Sequence, residues 1–252
     1  MALSFRQGGI LEIARTEGRV GVEDLAVRFG VTLQTIRRDL GDLADAGLLD
    51  RVHGGAVVRA GVVNTAWAER QRQNAKAKAA IGAACAALIP DNSSLILNIG
   101  TTTEAVARAL LGHRNLTVVT NNLNVANILA ASDSCEVMVA GGALRRSDGG
   151  LVGELTAQFF AQFKVDFAMI GCSALDADGD VLDFDLAEVQ VTRAILRQGR
   201  RRVLVADASK LARQAPVRVG SLADLDAVVT DRALPEPLAA DCAGWGTVVH
   251  LA

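Results

Sequence analysis

From residue 94 onward the chain repeats one pattern: a short unbroken apolar run followed by a longer amphipathic stretch. The runs are SLILNI, LTVVT, CEVMVA, VDFAMIG, RRVLVAD and DAVVTD. Runs of this length, rich in β-branched residues, read as strands. The absence of apolar–polar alternation means that both faces are covered. Between them lie helical segments such as GTTTEAVARALL, NNLNVANILAA and LAEVQVTRAILRQG, and AKAAIGAACAALI leads into the first strand. Doubly buried strands separated by helices build an open, largely parallel sheet with helices on both sides, a Rossmann-like α/β fold.

In such a sheet ligands bind beyond the C-terminal strand ends. Gly100, Thr101, Thr102 and Thr103 stand where a strand turns into a helix. A glycine permits the tight turn, and hydroxyls with free helix N–H groups suit an anion. Asn121 and Asn122 follow the next strand, Gly141 and Gly142 the third, and Lys210 comes just after a later one. Lys210 is one of only four lysines among 26 basic residues. A compact ammonium suits a point contact with phosphate. Each feature alone also fits a helix cap, a turn or a solvated lysine. Together they make a candidate site for a phosphorylated small molecule. No G-x-G-x-x-G or GxxxxGK[ST] occurs, so no dinucleotide cofactor is expected. The histidines, His53, His113 and His250, assemble no Ser/His/Asp set. The four cysteines have no metal-ligand spacing. No catalytic residue, metal or cofactor is therefore assigned.

The first sixty residues read differently. Ile10, Leu11, Ile13 and Ala14 make one apolar helical face, and Val22, Leu25, Ala26 and Phe29 a second. Gly30 stops that helix and Thr32 caps a third. In the third, Ile36, Leu40 and Leu43 fall at i, i+4, i+7 and face inward, which turns Gln34, Thr35, Arg37 and Arg38 outward. LLDRVHGGAVV then reads as a hairpin around Gly54 and Gly55. Helix, turn, helix and hairpin is the layout of a winged helix-turn-helix that places side chains at base edges in the major groove. Gln pairs bidentately with adenine and Arg with guanine. Thr32 and Thr35 can reach phosphate or a thymine methyl, and Arg51 and His53 on the hairpin suit the backbone or minor groove. A solvated polar face on a small helical domain is the other reading of the same residues.

Charge tempers the nucleic-acid reading without excluding it. The formal net charge is −2, and residues 1–60 hold eight arginines against eight acids. Binding by bulk positive charge is thus excluded, but one small reading face is not. Half of the residues are apolar, which rules out whole-chain disorder. The first residues carry no secretory signal, and no apolar run approaches the roughly 18 residues of a membrane helix. Cys85, Cys135, Cys172 and Cys242 lie in apolar contexts, as in a reducing compartment, so a cytoplasmic location is expected.

The stretch VTLQTIRRDLGDLADAGLLDRVHGGA resembles the DeoR family of bacterial repressors, with Thr32 where the family usually has Ser. The likeness extends along the whole chain. It implies a DNA-binding domain at 1–58, a linker at 59–74 and a sensor at 75–252. The sensor fold is one shared with sugar-phosphate isomerases and deaminases. NIGTTTEAVARALL, VVTNNLNVANIL, AGGALRRSDGGLVGE and SALDADGDVLDFDLAEVQVTRAIL are similar to the branch of the family whose effector is glycerol 3-phosphate. The resemblance implies double-stranded operator DNA and glycerol 3-phosphate, or a related sugar phosphate, as partners. It also implies a homo-oligomer, dimer or tetramer, and effector contacts from Asp183 and Glu188. Ser173 stands where the isomerases carry a catalytic carboxylate, which favours a sensor over an enzyme. A repressor of another carbohydrate operon, and an isomerase or deaminase bearing a DNA-binding module, remain the alternatives.

Overall fold

The computed structural model describes residues 4–17, 19–46, 48–52, 54–58 and 67–252. Two compact units divide the chain, one within Met1–Gly61 and one within Val62–Ala252. His53 and residues 59–66 of the expected linker lie outside the described residues.

In the first unit, α1 (Phe5–Glu17) and a short β1 (Arg19–Gly21) precede α2 (Val22–Phe29) and α3 (Leu33–Asp45). The hairpin β2 (Leu49–Val52) and β3 (Gly55–Val58) follows. The three strands form an antiparallel sheet in the order β1-β3-β2. Gly30 ends α2 at φ +63, and the Thr32 hydroxyl accepts from the Thr35 N–H at 3.2 Å to start α3. Ile10, Leu25, Ile36, Leu40, Leu43 and Leu49 fill the core. The acids of α3 are partly consumed inside the unit: buried Asp39 accepts from Arg6 Nε at 2.5 Å, and Asp42 from Gln7 Nε2 at 3.2 Å. These contacts pin α1 to α3.

The second unit opens with α4 (Trp67–Arg72) and α5 (Ala75–Ala86). The part of the expected linker from Trp67 to Asn74 is therefore built into this unit rather than being a free connector. Then come β4 (Ser94–Leu97), α6 (Thr101–Ala109), β5 (Leu116–Thr120), α7 (Leu123–Leu129) and β6 (Cys135–Val139). A hairpin of β7 (Ala143–Arg145) and β8 (Gly150–Val152) leads to α8 (Glu154–Phe160) and β9 (Val165–Ile170). Beyond these lie β10 (Ala174–Leu175), β11 (Asp180–Asp183), α9 (Leu186–Leu196), β12 (Gly199–Val205) and β13 (Val217–Ser221). The chain closes with β14 (Ala227–Thr230), α10 (Glu236–Trp245) and β15 (Val248–Leu251).

Seven strands form one sheet in the order β15-β14-β12-β9-β4-β5-β6, and every pairing in it is parallel. The unbroken apolar runs follow from its two faces. Leu95, Leu97, Phe167, Met169, Val203 and Val205 pack under α5, α6 and α7. The alternate residues Ile96, Ala168, Ile170 and Leu204 pack under α8, α9 and α10. With a side-chain period of two and helices on both sides, the positions under the helices of the central strands are apolar on both faces. A smaller antiparallel sheet, β10-β11-β13, sits beside the main one. The strand order reverses between β4 and β9, which puts the ligand crevice of such a sheet at the carboxyl ends of these two strands. Among the described residues no helix is long and apolar enough to cross a membrane.

Candidate functional site

Each unit carries its own candidate surface. On α3 the buried face is Ile36, Asp39, Leu40 and Leu43. Gln34, Arg37 and Arg38 are exposed and Thr35 half-exposed. Gln34 and Arg38 stand one turn apart on the same side. Thr32 is bound to its capping role, its hydroxyl also meeting that of Thr35 at 2.9 Å. Arg37 and Arg51 line a hollow of about 490 Å³ between α3, the start of α2 and the hairpin, together with the acids Glu23 and Asp24.

In the second unit the three threonines after Gly100 do not converge, because successive helical residues point about 100° apart. Thr103 is fully buried, and its hydroxyl donates back to the carbonyls of Asn98 (2.8 Å) and Gly100 (2.7 Å). Thr101 instead faces a hollow of about 510 Å³ between α5 and α6, with Lys78 and Arg108. Thr102, buried at 5 % exposure, and the first N–H groups of α6 remain for an anion.

The asparagines are also committed. Asn122 caps α7, its Oδ1 accepting from the Asn124 N–H at 2.9 Å. Asn121 Nδ2 donates to the Leu151 carbonyl at 3.0 Å, while the Leu151 N–H donates to the Asn121 carbonyl at 2.7 Å. The pair welds β8 to the end of β5. Asn121 Oδ1 is buried without a partner. Gly142, at φ +148, lies where a Cβ would come 2.0 Å from Thr156 Oγ1. Thr156 in turn donates to the Gly141 carbonyl at 2.8 Å. Gly142 makes room for Thr156 of α8, while Gly141 contributes only its carbonyl.

Charge gathers at the crevice in two connected sets. Arg145 on β7 reaches Asp148 at 2.6 Å, Asp185 at 3.1 Å and Glu188 at 2.5 Å. Asp183 Oδ1 accepts from Ser173 Oγ at 2.9 Å and from the Phe184 N–H at 2.7 Å. Ser173 therefore sits on a carboxylate even though it is not one. Burial, reinforced by the Asp183 carboxylate and opposed by Arg145, pushes Glu188 up to about 7. The second set is cationic: Lys78, Arg70, Lys210 and Arg213 lie within electrostatic reach of one another, with Asp207 as the shared acid. Lys78 is held by the carbonyls of Arg70 and Gln73, and burial brings it down to about 8. Lys210 and Arg213 are half-buried, their side chains make no hydrogen bond or ion pair among the described residues, and burial lowers both. Among those residues no group of His, Cys, Asp or Glu is arranged to hold a metal.

The neutral form of Glu188 is the one favoured by the fold. Its stabilising contribution is therefore full below the ordinary carboxyl range and is lost as pH rises towards 7. A Glu188→Gln chain, neutral at every pH, should gain on the wild type by on the order of 1–2 kcal/mol between pH 5 and pH 7.5. Urea melts at the two pH values check this, and a constant difference would refute it.

A DeoR-like helix-turn-helix domain model matches residues 6–60, and a DeoR C terminal sensor domain model matches residues 73–232. The chain belongs to the DeoR family. Among DeoR-family relatives it is 46 % identical to the glycerol-3-phosphate regulon repressor of Escherichia coli (strain K12), over 93 % of each chain. It is also 46 % identical to the protein of that name from Haemophilus influenzae, over 91 % of this chain and 90 % of the other. Of solved structures, ribose 5 phosphate isomerase A from Neisseria gonorrhoeae is similar at 14 % identity and a TM-score of 0.40, covering 54 % of this chain and 53 % of that one.

Reasoning from sequence singles out Lys210, Asp183 and Glu188 in the DeoR sensor; in the structure Asp183 and Glu188 lie within electrostatic reach of each other, and Asp183 and Lys210 both lie within reach of Cys172. It misses Arg70, Lys78, Arg145, Asp148 and Arg213. The basic pair in RRSDGG was the available signal for Arg145. Arg70 and Lys78 lie in and just past a stretch that reads as linker, and nothing local marks them.

Proposed function

We propose that this DeoR-family chain is a transcriptional repressor whose first unit binds operator DNA and whose second takes a small phosphorylated effector, glycerol 3-phosphate before others, and then lets the operator go. One observation supports the reading: Lys210 and Arg213, half-buried cations whose side chains make no hydrogen bond or ion pair among the described residues, follow β12, the strand next to the β4–β9 switch point of an α/β sensor. The names of the most similar relatives support the choice of effector. In this scheme Gln34, Arg37 and Arg38 read base edges, while Thr32, Thr35, Arg51 and His53 hold the DNA backbone. Thr102, the N-terminal N–H groups of α6 and Lys210 receive the phosphate, and Asp183 and Glu188 face the hydroxyls. Reading heads act in pairs, so the working form is a symmetric homo-oligomer in the cytoplasm.

An effector moves this equilibrium only through unequal affinity for two states. A coupling of about 1–3 kcal/mol corresponds to roughly 5–150-fold weaker operator binding. Titrating the operator complex with millimolar glycerol 3-phosphate should show that loss. Unchanged affinity would refute the effector, and release by a different sugar phosphate would assign another carbohydrate operon. Asp183 and Glu188 favour a second reading, since a carboxyl held up to about 7 is what a proton-transfer isomerase needs. Turnover of sugar phosphates would establish that reading, and the repressor reading expects none.

A further inference from the structure

Helix α4 is the first described element of the sensor unit, and the chain runs back from it through residues 59–66 to the DNA-binding unit. Its side chains do not simply rest on the sensor. Trp67 Nε1 donates at 2.9 Å to Oε1 of the fully buried Glu104, an oxygen also bound by Asn124 Nδ2 at 3.1 Å. Asn124 donates as well to the Asp148 carbonyl at 2.9 Å. Just past the helix, Asn74 Nδ2 donates to Asp207 Oδ1 at 2.9 Å. All of these partners lie at or beside the strand ends that form the crevice.

Arg70 is the exception to this tidy pairing. Its side chain is 17 % exposed, its Nη2 reaches Asp148 Oδ2 at a long 3.3 Å, and its buried Nε has no partner. Asp148 does not need it. Arg145 already grips Asp148 with Nε at 3.0 Å and Nη2 at 2.6 Å, and the Gly150 N–H donates to it at 3.2 Å. Arg70 is thus a largely buried guanidinium with spare donors, placed within electrostatic reach of Lys210 and Arg213. Lys78, Lys210 and Arg213 share one acid, Asp207, whose Oδ1 is already engaged by Asn74 and Ser209. A guanidinium fork matches phosphate bidentately, and a dianion would supply what this cluster lacks.

We propose that Arg70 is an effector-binding residue contributed by the connector itself, so that a phosphate monoester bound at the crevice draws α4 onto the sensor. This deepens the reading given under Proposed function and rests on it: the ligand signals through the first described helix of the sensor unit, from which the chain runs back to the DNA-binding unit. Occupancy changes how firmly that helix is held.

The test uses the full-length chain, glycerol 3-phosphate and inorganic phosphate, with calorimetry for affinity and amide hydrogen exchange for residues 67–74. In the wild type, glycerol 3-phosphate should bind and slow exchange across this segment. Arg70→Gln should weaken binding by about 10- to 100-fold, as expected for the loss of a charged hydrogen bond, and should abolish the slowing even when ligand is raised to saturation. Arg70→Lys, which keeps the charge and loses the fork, should recover part of the affinity. A merely structural Arg70 would show faster exchange in the free protein, with unchanged ligand-dependent slowing once saturated, and that result overturns the proposal. Equal affinity in the wild type and Arg70→Gln overturns it too while leaving the effector reading standing. If the wild type binds neither probe, both fall together.

Discussion

A Gly55→Ala chain should lose operator binding while its sensor unit melts and takes effector as before. Gly55 pairs with Gly21 across β1 and β3, and β3 is the central strand of its three-stranded sheet. A Cβ built on Gly55 would lie 1.9 Å from the Val20 carbonyl oxygen and 3.2 Å from the Gly21 Cα. Both atoms are backbone, so no side chain can swing aside, and the strands must part. Overpacking a rigid site costs about 1–3 kcal/mol and sometimes more. A unit of roughly sixty residues has little stability in reserve. Separating β3 from β1 also pulls the buried Ala56 out of the core that carries α3. Operator affinity should fall by roughly 100-fold or more, the equivalent of about 3 kcal/mol. Gel-shift titration checks this, and calorimetry with glycerol 3-phosphate checks that the sensor survives. Near wild-type affinity would mean that the hairpin is not needed for reading. Gly54→Ala is the matched control. Gly54 has φ +79 with nothing within 4 Å of a Cβ, so it carries only a conformational cost of about 1 kcal/mol.

The two neighbouring glycines look alike in sequence, and their difference shows where sequence reasoning ran out. The parallel sheet was legible because double burial gives consecutive apolar residues in its central strands, as with Leu95, Ile96 and Leu97. The third helix was legible because its cap and its apolar spacing are both local. The crevice was legible only in outline. Its strand-end position follows from the fold class, but its chemistry depends on pairs far apart in the chain, such as Arg70 with Asp148 and Asn74 with Asp207. Arg145 gathers three acids only because the β7–β8 hairpin turns it towards the start of α9. The run Thr101–Thr103 promised three hydroxyls on one anion, yet helical rotation turns one into the hollow beside α5 and folds another back into the loop.

Replacing Lys210 with Ala should yield a chain that holds its operator and no longer responds to glycerol 3-phosphate. Lys210 follows Asp207 on the short 3-10 helix Ala208–Ala212, which begins where β12 ends. Its ammonium makes no hydrogen bond or ion pair among the described residues, and burial lowers its pKa. In the free protein burial penalises the charged form and Arg213 and Arg70 add repulsion, with Asp207 and Cys172 opposing them in part. Removing the charge takes away this penalty, so the free sensor should melt no lower than the wild type, and slightly higher at pH 7. The sign reverses when a dianion occupies the crevice, because the same ammonium then meets an opposite charge in a partly desolvated place. Losing a charged hydrogen bond there costs about 1.5–3 kcal/mol, or roughly 10- to 150-fold in affinity. With glycerol 3-phosphate at a level that releases the wild type, the variant should stay on the operator. A thermal melt, a ligand titration and an operator titration on the same preparation separate the possibilities. A lower melting temperature together with lost DNA binding would make Lys210 a structural lysine. Intact stability with a wild-type response to glycerol 3-phosphate would move the phosphate away from this strand end altogether.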